Sequence, residues 1–234
     1  MAVMTSFVDV AKTLGARLIL NQQGGSGQWL DESGNGLHAS EANSPEWHAD
    51  GGPAVGVPGF YRLQASLKQC LNVGDDPLLR FASENALSIV WFERNGNQAS
   101  DPEHAVRIGK GDRAYQVRRE AGIPDSLRLT LRNNDAADEV KLDTYPVTGD
   151  WQMFMARYSG TLLDIWQIAD GNATSAASIS YSGGIEDNTD LLSIGAQHDR
   201  SEWRRWWSGD IAGISLFPAA LSSEEFERLR NAAQ

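Results

Sequence analysis

Short runs of alternating hydrophobic and polar residues dominate the chain beyond its first sixteen positions. Leu127, Leu129 and Leu131, for example, alternate with Arg128 and Thr130, so an extended segment there has one apolar and one polar face. Gly, Asn, Asp and Pro separate about thirteen such runs, and no strand–helix–strand rhythm connects them. The pattern therefore predicts an all-β protein, a sandwich of two antiparallel sheets.

Two short helices are predicted, one near each end of the chain. Ser6 with Asp9 three positions later fits the capping box of a helix start, and Ser222 with Glu225 fits a second one. Gly15 is suited to end the first helix in the left-handed conformation.

The domain organisation follows from the length of the chain. Its 234 residues fit a single domain, because sandwiches of about 200–250 residues commonly fold as one unit. We divide it into an N-terminal helical extension at 1–16, which would anchor the protein to a partner, and one sandwich domain at 17–234.

The charge balance restricts the classes of partner. Asp and Glu number 31 and Lys and Arg number 20, so the net charge is −11. Such a chain is repelled by a phosphate backbone and by an anionic lipid surface, which predicts no nucleic-acid partner and no membrane partner. The N-terminus lacks the early basic cluster of a signal peptide. Cys70 is the single cysteine, so no intrachain disulfide framework is expected.

Three segments carry a resemblance to a known family. Residues 30–39 contain a D-x-S-G-N-G-x-H turn, residues 86–92 read ALSIVWF, and residues 151–160 read WQMFMARYSG. In this order, and with a closing segment at 207–217, they resemble the laminin-G-like jelly rolls of the concanavalin A-like lectin/glucanase superfamily. The resemblance implies a jelly-roll β-sandwich. Domains of this kind occur in lectins, in enzymes and in bacteriophage minor tail or capsid-decoration proteins.

The residue pattern does not favour catalysis. The E-x-D-x-x-E strand of the superfamily's hydrolases is absent, as is a G-x-S-x-G nucleophile elbow. The four histidines show no spacing typical of zinc ligands. We therefore predict a protein that is not an enzyme, with glycoside hydrolysis as the least supported alternative.

The first turn offers a candidate cation site. Many relatives in the resembled family bind one calcium ion there, which here would involve Asp31 and Asn35. The family adds acids on its closing strand, where this chain has Asp210, two positions early. Calcium needs six to eight oxygen ligands. The alternative is a metal-free turn in which Asp31 caps backbone amides, so no cofactor is required.

The most unusual local feature is the segment at 198–207, which reads HDRSEWRRWW between two predicted closing strands. Trp207 fits a buried position of the family, and Trp91, Trp151 and Trp166, which lie in strand patterns, are also expected in the core. Trp203, Arg204, Arg205 and Trp206 have no such role, and exposed Trp and Arg dominate binding hot spots. We predict that these four residues bind a ligand or partner. The alternative is that both indoles fold beneath the loop with arginine guanidinium groups stacked on them.

Three functions remain after these arguments. The first is a non-catalytic structural or interaction subunit of a virion, a bacteriophage minor tail or capsid-decoration protein assembled in the host cytoplasm. Its partners would be other virion proteins, a host surface glycan and further copies of itself, as in a trimer. The second is a lectin module that recognises a cell-surface polysaccharide, and the third is the glycoside hydrolase.

Overall fold

The fold is taken from a computed structural model of the chain. It describes residues 5–24, 27–94, 104–111, 114–120, 123–133, 136–142, 149–169, 172–199 and 201–234.

Both predicted helices are present, and both begin at the predicted capping box. Helix α1 spans Phe7–Thr13 and α2 spans Ser223–Ala233. At the start of α1 the Ser6 hydroxyl accepts from the backbone N–H of Asp9, and the Asp9 carboxylate accepts from Ser6 in return. Neither described helix has the length and apolar character needed to cross a lipid bilayer.

Strands make up most of the remaining described chain. They are β1 Leu18–Gly24, β2 Gln28–Asp31, β3 Ala39–Ala42, β4 Glu46–His48, β5 Phe60–Leu63, β6 Cys70–Gly74, β7 Leu87–Arg94, β8 Val106–Lys110, β9 Tyr115–Glu120, β10 Ile123–Asn133, β11 Ala136–Leu142, β12 Gln152–Tyr158, β13 Leu162–Ala169, β14 Asn172–Ser180, β15 Leu192–Ile194, β16 Gln197–Asp199, β17 Glu202–Arg204 and β18 Gly209–Phe217. Two 3-10 turns lie at Ala65–Leu67 and Pro77–Leu79.

The strands pair in one continuous antiparallel sheet, and this sheet folds back on itself. It runs β11-β10-β9-β8-β15-β6-β3-β2-β1-β18-β7-β12-β13-β14, with β5 beside the start of β18 and β4 beside β5. The register between β1 and β2 shifts between Leu20 and Gln22, and at the other end β11 lies against β13 and β14. The two halves of the order are therefore the two layers of a sandwich, which confirms the predicted all-β fold with two terminal helices.

The main core lies between the two layers. Trp29, Trp91 and Trp207 are its largest fully buried side chains, together with the tyrosines and leucines of the inner faces. The predictions that Trp91 and Trp207 are core residues are confirmed. Trp151 and Trp166, which were also expected in the core, are only partly buried and lie on the other side of their sheet.

A second core lies beneath the helices. Phe7 of α1 and Phe226 of α2 pack on the outer face of the sheet that contains β1, β18, β7 and β12. Leu18 and Leu20 of β1 therefore face the main core, while Ile19 between them faces the helices. This sheet is covered on both faces. The division at 1–16 and 17–234 stays a prediction, and residues 1–4 lie outside the described residues.

Candidate ligand-binding site

The segment predicted to bind a ligand forms a separate β-hairpin. Strands β16 and β17 pair only with each other among the described residues, and His198 lies opposite Trp203. The turn is closed by a hydrogen bond from the Ser201 N–H to the Asp199 carbonyl. Arg200, at the tip, lies outside the described residues.

Three aromatic rings form a continuous patch on the hairpin. The indole rings of Trp203 and Trp206 stack with their centroids 6.1 Å apart and an interplanar angle of 29°. The His198 ring meets Trp203 edge to face, with a centroid distance of 4.8 Å. All three side chains are partly exposed. The patch can therefore offer apolar ring surface to a ligand.

Polar contacts hold the two arginines of the hairpin. The Arg204 guanidinium forms an ion pair with Asp199 across the two strands. The Arg205 Nη1 donates to the Gln197 side-chain oxygen at 2.6 Å, and Arg205 adopts a left-handed backbone with φ of 57°. These contacts fix the direction in which the chain leaves β17 and thereby place Trp206 against Trp203.

Backbone hydrogen bonds attach the hairpin to the sandwich. The Val106 N–H donates to the Arg205 carbonyl at 2.8 Å, and the Trp207 N–H donates to the Gly195 carbonyl at 2.9 Å. Gly195 has a φ of 83°, and a Cβ atom there would lie 2.4 Å from a methyl group of Leu63. Only glycine fits this position, so the entry of the chain into the hairpin depends on it.

A buried ion pair lies beneath the hairpin. The Arg107 side chain lies 5.5 Å from the ring centroid of Trp207 and binds Glu93 with N–O distances of 2.8 and 2.9 Å. Both members of the pair are fully buried, and the Trp91 indole N–H also donates to Glu93 at 2.5 Å. The hairpin is therefore attached next to a buried, hydrogen-bonded part of the sandwich.

Of the four residues of the predicted contact, the structure brings Trp203 and Trp206 together, while Arg204 and Arg205 bind Asp199 and Gln197 of β16. The indoles stack on each other, whereas the alternative interpretation placed both beneath the loop with guanidinium groups on them. Their ligand-binding role stays a prediction.

Two further residues belong to this site and were not selected from the sequence. Gln197 is 1 % exposed, and neither its side-chain nitrogen nor the Nδ1 atom of His198 has a hydrogen-bond partner among the described residues. The sequence could have identified His198, because a tight hairpin with its turn at 200–201 places residue 198 opposite residue 203.

The first turn shows what Asp31 does in the fold. One of its carboxylate oxygens accepts from the N–H groups of Ile19 and Ser33, and the other accepts from the Ser33 hydroxyl and the Leu37 N–H, at 2.8–3.0 Å. The Asn35 amide donates to a backbone carbonyl at 2.8 Å. These bonds are the amide capping expected as the alternative to a cation site, and a calcium ion would have to displace them. Calcium at Asp31 and Asn35 stays a prediction.

Chemistry elsewhere in the described chain is limited. Among the described residues, no group of three or more His, Cys, Asp or Glu side chains is placed to hold a metal ion. Burial raises the pKa of the Cys70 thiol to about 12, so this cysteine stays protonated at neutral pH and is a poor nucleophile.

Comparisons with known proteins give structural matches only. No protein-family model and no curated protein sequence matches the chain. Among solved structures it is similar to the binding domain of botulinum neurotoxin serotype C1, with a TM-score of 0.66 and 15 % identity over 96 % of this chain and 53 % of that one. It is also similar to the binding domain of Paraclostridial Mosquitocidal Protein 1, with a TM-score of 0.70 and 12 % identity over 94 % of this chain and 52 % of that one.

A third similar structure is the binding domain of botulinum neurotoxin DC in complex with SialylT. Its TM-score is 0.67 and its identity 14 %, over 98 % of this chain and 53 % of that one. The chain thus spans about half the length of the structures it matches. At this identity the likeness shows the β-sandwich fold alone. These matches are toxin binding domains, so they lend no support to the expected virion role, which stays a prediction.

Proposed function

We propose that this protein is a non-catalytic, lectin-like binding module that recognises a cell-surface polysaccharide through the hairpin formed by β16 and β17. The observation that carries the proposal is the stacked, partly exposed pair of Trp203 and Trp206.

The chemistry of the patch suits a sugar. The face of an indole ring is electron-rich, and the C–H groups on one side of a pyranose ring are weakly positive, so the two stack. His198 lies against Trp203 and places an imidazole ring at the edge of this apolar surface. Apolar ring faces with a few polar groups beside them are typical of small-molecule sites.

The attachment of the hairpin strengthens the argument. The hydrogen bonds from Val106 and Trp207, together with the Arg204–Asp199 ion pair, hold the aromatic patch before any ligand arrives. A site ordered in advance loses less conformational entropy on binding.

The comparisons support a binding role over a catalytic one. The similar structures are binding domains, and one of them was solved in complex with SialylT. A binding role is also compatible with a place in a virion, for which glycan recognition would be one task.

The proposal predicts that Trp203→Ala and Trp206→Ala each weaken polysaccharide binding about tenfold, the equivalent of about 1.4 kcal/mol for one lost stacking ring. Binding of the purified chain to a panel of bacterial surface polysaccharides measures this by calorimetry. Trp166→Ala is the matched control, since it removes another partly exposed indole, on β13, and should leave the affinity unchanged.

Three results would contradict the proposal. They are unchanged affinity in both hairpin variants, failure of the wild-type chain to bind every polysaccharide of the panel, and release of new reducing ends from a bound polysaccharide.

A further inference from the structure

A cluster of arginine and aromatic side chains lies beside the hairpin and has no role in the site described above. Asp210 at the start of β18 is 1 % exposed, and its carboxylate binds two guanidinium groups. Arg62 donates through Nε at 2.8 Å and Nη2 at 3.1 Å, and Arg94 donates through Nε at 3.0 Å. The Nη2 atom of Arg94 lies 2.9 Å from the same carboxylate.

This arrangement leaves one edge of each guanidinium group for a ligand. A guanidinium carries five N–H donors, and both arginines use the Nε and Nη2 side toward Asp210. The Nη1 atoms are not engaged by these bonds. The Arg62 side chain is 40 % exposed and that of Arg94 is 22 % exposed, so both side chains reach solvent. Hydrogen bonding to Asp210 raises the pKa of Arg62, which keeps it charged.

Aromatic rings hold Arg94 in a fixed place. Its guanidinium carbon lies 4.8 Å from the ring centroid of Phe60 and 4.6 Å from that of Trp151, and the two rings meet edge to face. The Trp151 indole N–H donates to the Gly51 carbonyl at 3.0 Å, and the ring is partly exposed. An ordered guanidinium beside a partly exposed indole is suited to hold an acidic group of a sugar that contacts the indole.

The position of the cluster relates it to the hairpin. Trp206 lies three positions before β18, and Asp210 is the second residue of that strand. Because four residues span at most about 14 Å, the backbone at Trp206 and at Asp210 lies within that distance, which one oligosaccharide can bridge.

One further carboxylate faces the cluster, and it contributes to the raised pKa of Arg62. Glu46 on β4 lies opposite Arg62 on β5, and its carboxylate lies 3.2 Å from the His48 ring nitrogen. With Asp210 beneath the guanidinium groups, Arg62 and Arg94 present their donors above a buried negative charge.

We propose that Arg62, Arg94 and Trp151 form a second subsite, which binds an acidic sugar of the same glycan that contacts the hairpin. The inference rests on the proposed function for the identity of the ligand as a glycan, while its residues are separate. The recognised chemistry is an anionic group, a carboxylate or a sulfate, on a sugar ring.

The test compares three polymers of equal length, namely dextran, carboxymethyl dextran and dextran sulfate, at about 0.15 M salt, where the Debye length is about 8 Å. We expect the wild-type chain to bind at least one anionic dextran more tightly than neutral dextran. Arg62→Gln should weaken that binding about tenfold, as expected for loss of a hydrogen bond between charged groups. Preference for one anionic form identifies carboxylate or sulfate as the recognised group.

Arg228→Gln is the matched control, because it removes the same charge from an exposed position on α2. Arg62→Lys keeps the positive charge but loses the planar set of guanidinium N–H donors. This variant should therefore bind the anionic dextran nearly as weakly as Arg62→Gln. Trp151→Leu removes the aromatic face while keeping an apolar side chain, so it should also weaken binding to the anionic dextran. Thermal unfolding of each variant shows whether it is folded.

The outcomes separate this inference from the proposed function. If Arg62→Gln behaves like Arg228→Gln, or if no anionic dextran binds better than dextran, the subsite is overturned. The hairpin proposal then still stands if Trp203→Ala and Trp206→Ala each weaken binding to the polysaccharide panel about tenfold. If the arginine variants lose binding while the hairpin variants keep it, the subsite stands and the hairpin proposal fails.

Discussion

Replacing Glu93 by glutamine is expected to lower the free energy of unfolding by about 4 kcal/mol, because the change breaks a buried ion pair by neutralising one partner. Glu93 and Arg107 are both 0 % exposed. The Glu93 carboxylate accepts from the Arg107 Nε and from the Trp91 indole N–H. An amide keeps the shape of the side chain but leaves the buried guanidinium without this negative partner.

Urea denaturation followed by tryptophan fluorescence measures the effect. Glu84→Gln provides the matched control, because Glu84 pairs with Arg17 at the surface, where both side chains are more than 20 % exposed. Surface pairs contribute about 1 kcal/mol or less. A loss of less than about 1 kcal/mol in Glu93→Gln would show that the buried pair does not stabilise the fold in this way.

Replacing Asp75 by asparagine is expected to cost about 3 kcal/mol of unfolding free energy for a related reason. The Lys110 side chain is 1 % exposed, and its ammonium group donates to Asp75 at 2.6 Å and to the Asp190 carbonyl. Burial lowers the pKa of Lys110, and the Asp75 carboxylate opposes that effect. Without the carboxylate the lysine stays buried with a weaker partner.

This pair also predicts a pH dependence. Partial burial alone would raise the pKa of Asp75, but hydrogen bonds from Arg80 and Lys110 outweigh it and hold that pKa below its ordinary value. The folded state therefore binds this proton less readily than the unfolded state. The contribution of Asp75 is fully present above the unfolded-state pKa of about 3.9 and is lost as the pH falls through the lower folded-state value.

Denaturation curves of wild type and Asp75→Asn between neutral and acidic pH check both statements. The difference between them should be largest at neutral pH and should shrink below about pH 4. Asp187→Asn is the control, since Asp187 is 62 % exposed and lies 3.8 Å from Arg80, so it should change stability by about 0.5 kcal/mol or less. A difference that stays constant with pH would rule out the charge of Asp75 as its cause.

The parts of the fold that depend on local chemistry were predictable from the sequence. A capping box needs only two residues three positions apart, so Ser6 with Asp9 and Ser222 with Glu225 located both helix starts. Alternation likewise predicted β10, whose Leu127, Leu129 and Leu131 all belong to the main core.

The parts that depend on distant pairing were not predictable. Arg62 and Arg94 form hydrogen bonds with Asp210, which lies 148 and 116 positions away in the sequence. No local sequence pattern predicts contacts over such separations. Alternation separates a polar face of a strand from its apolar face but does not show whether the polar face is buried. Arg107 and Lys110 are fully buried, and each has an acidic partner from another strand or loop. The hairpin location followed from the sequence, whereas the stacking of its two indoles depends on the backbone angle at Arg205.

The burial of β18 has a consequence for hydrogen exchange. All nine of its residues are buried, and it lies between β1 and β5 on one edge and β7 on the other, within a sheet covered on both faces. Amides enclosed in this way exchange with solvent when the whole molecule opens, whereas a two-stranded hairpin exchanges by opening locally. Protection at β18 therefore reports the stability of the entire fold, and protection at β16 and β17 reports whether a ligand is held there.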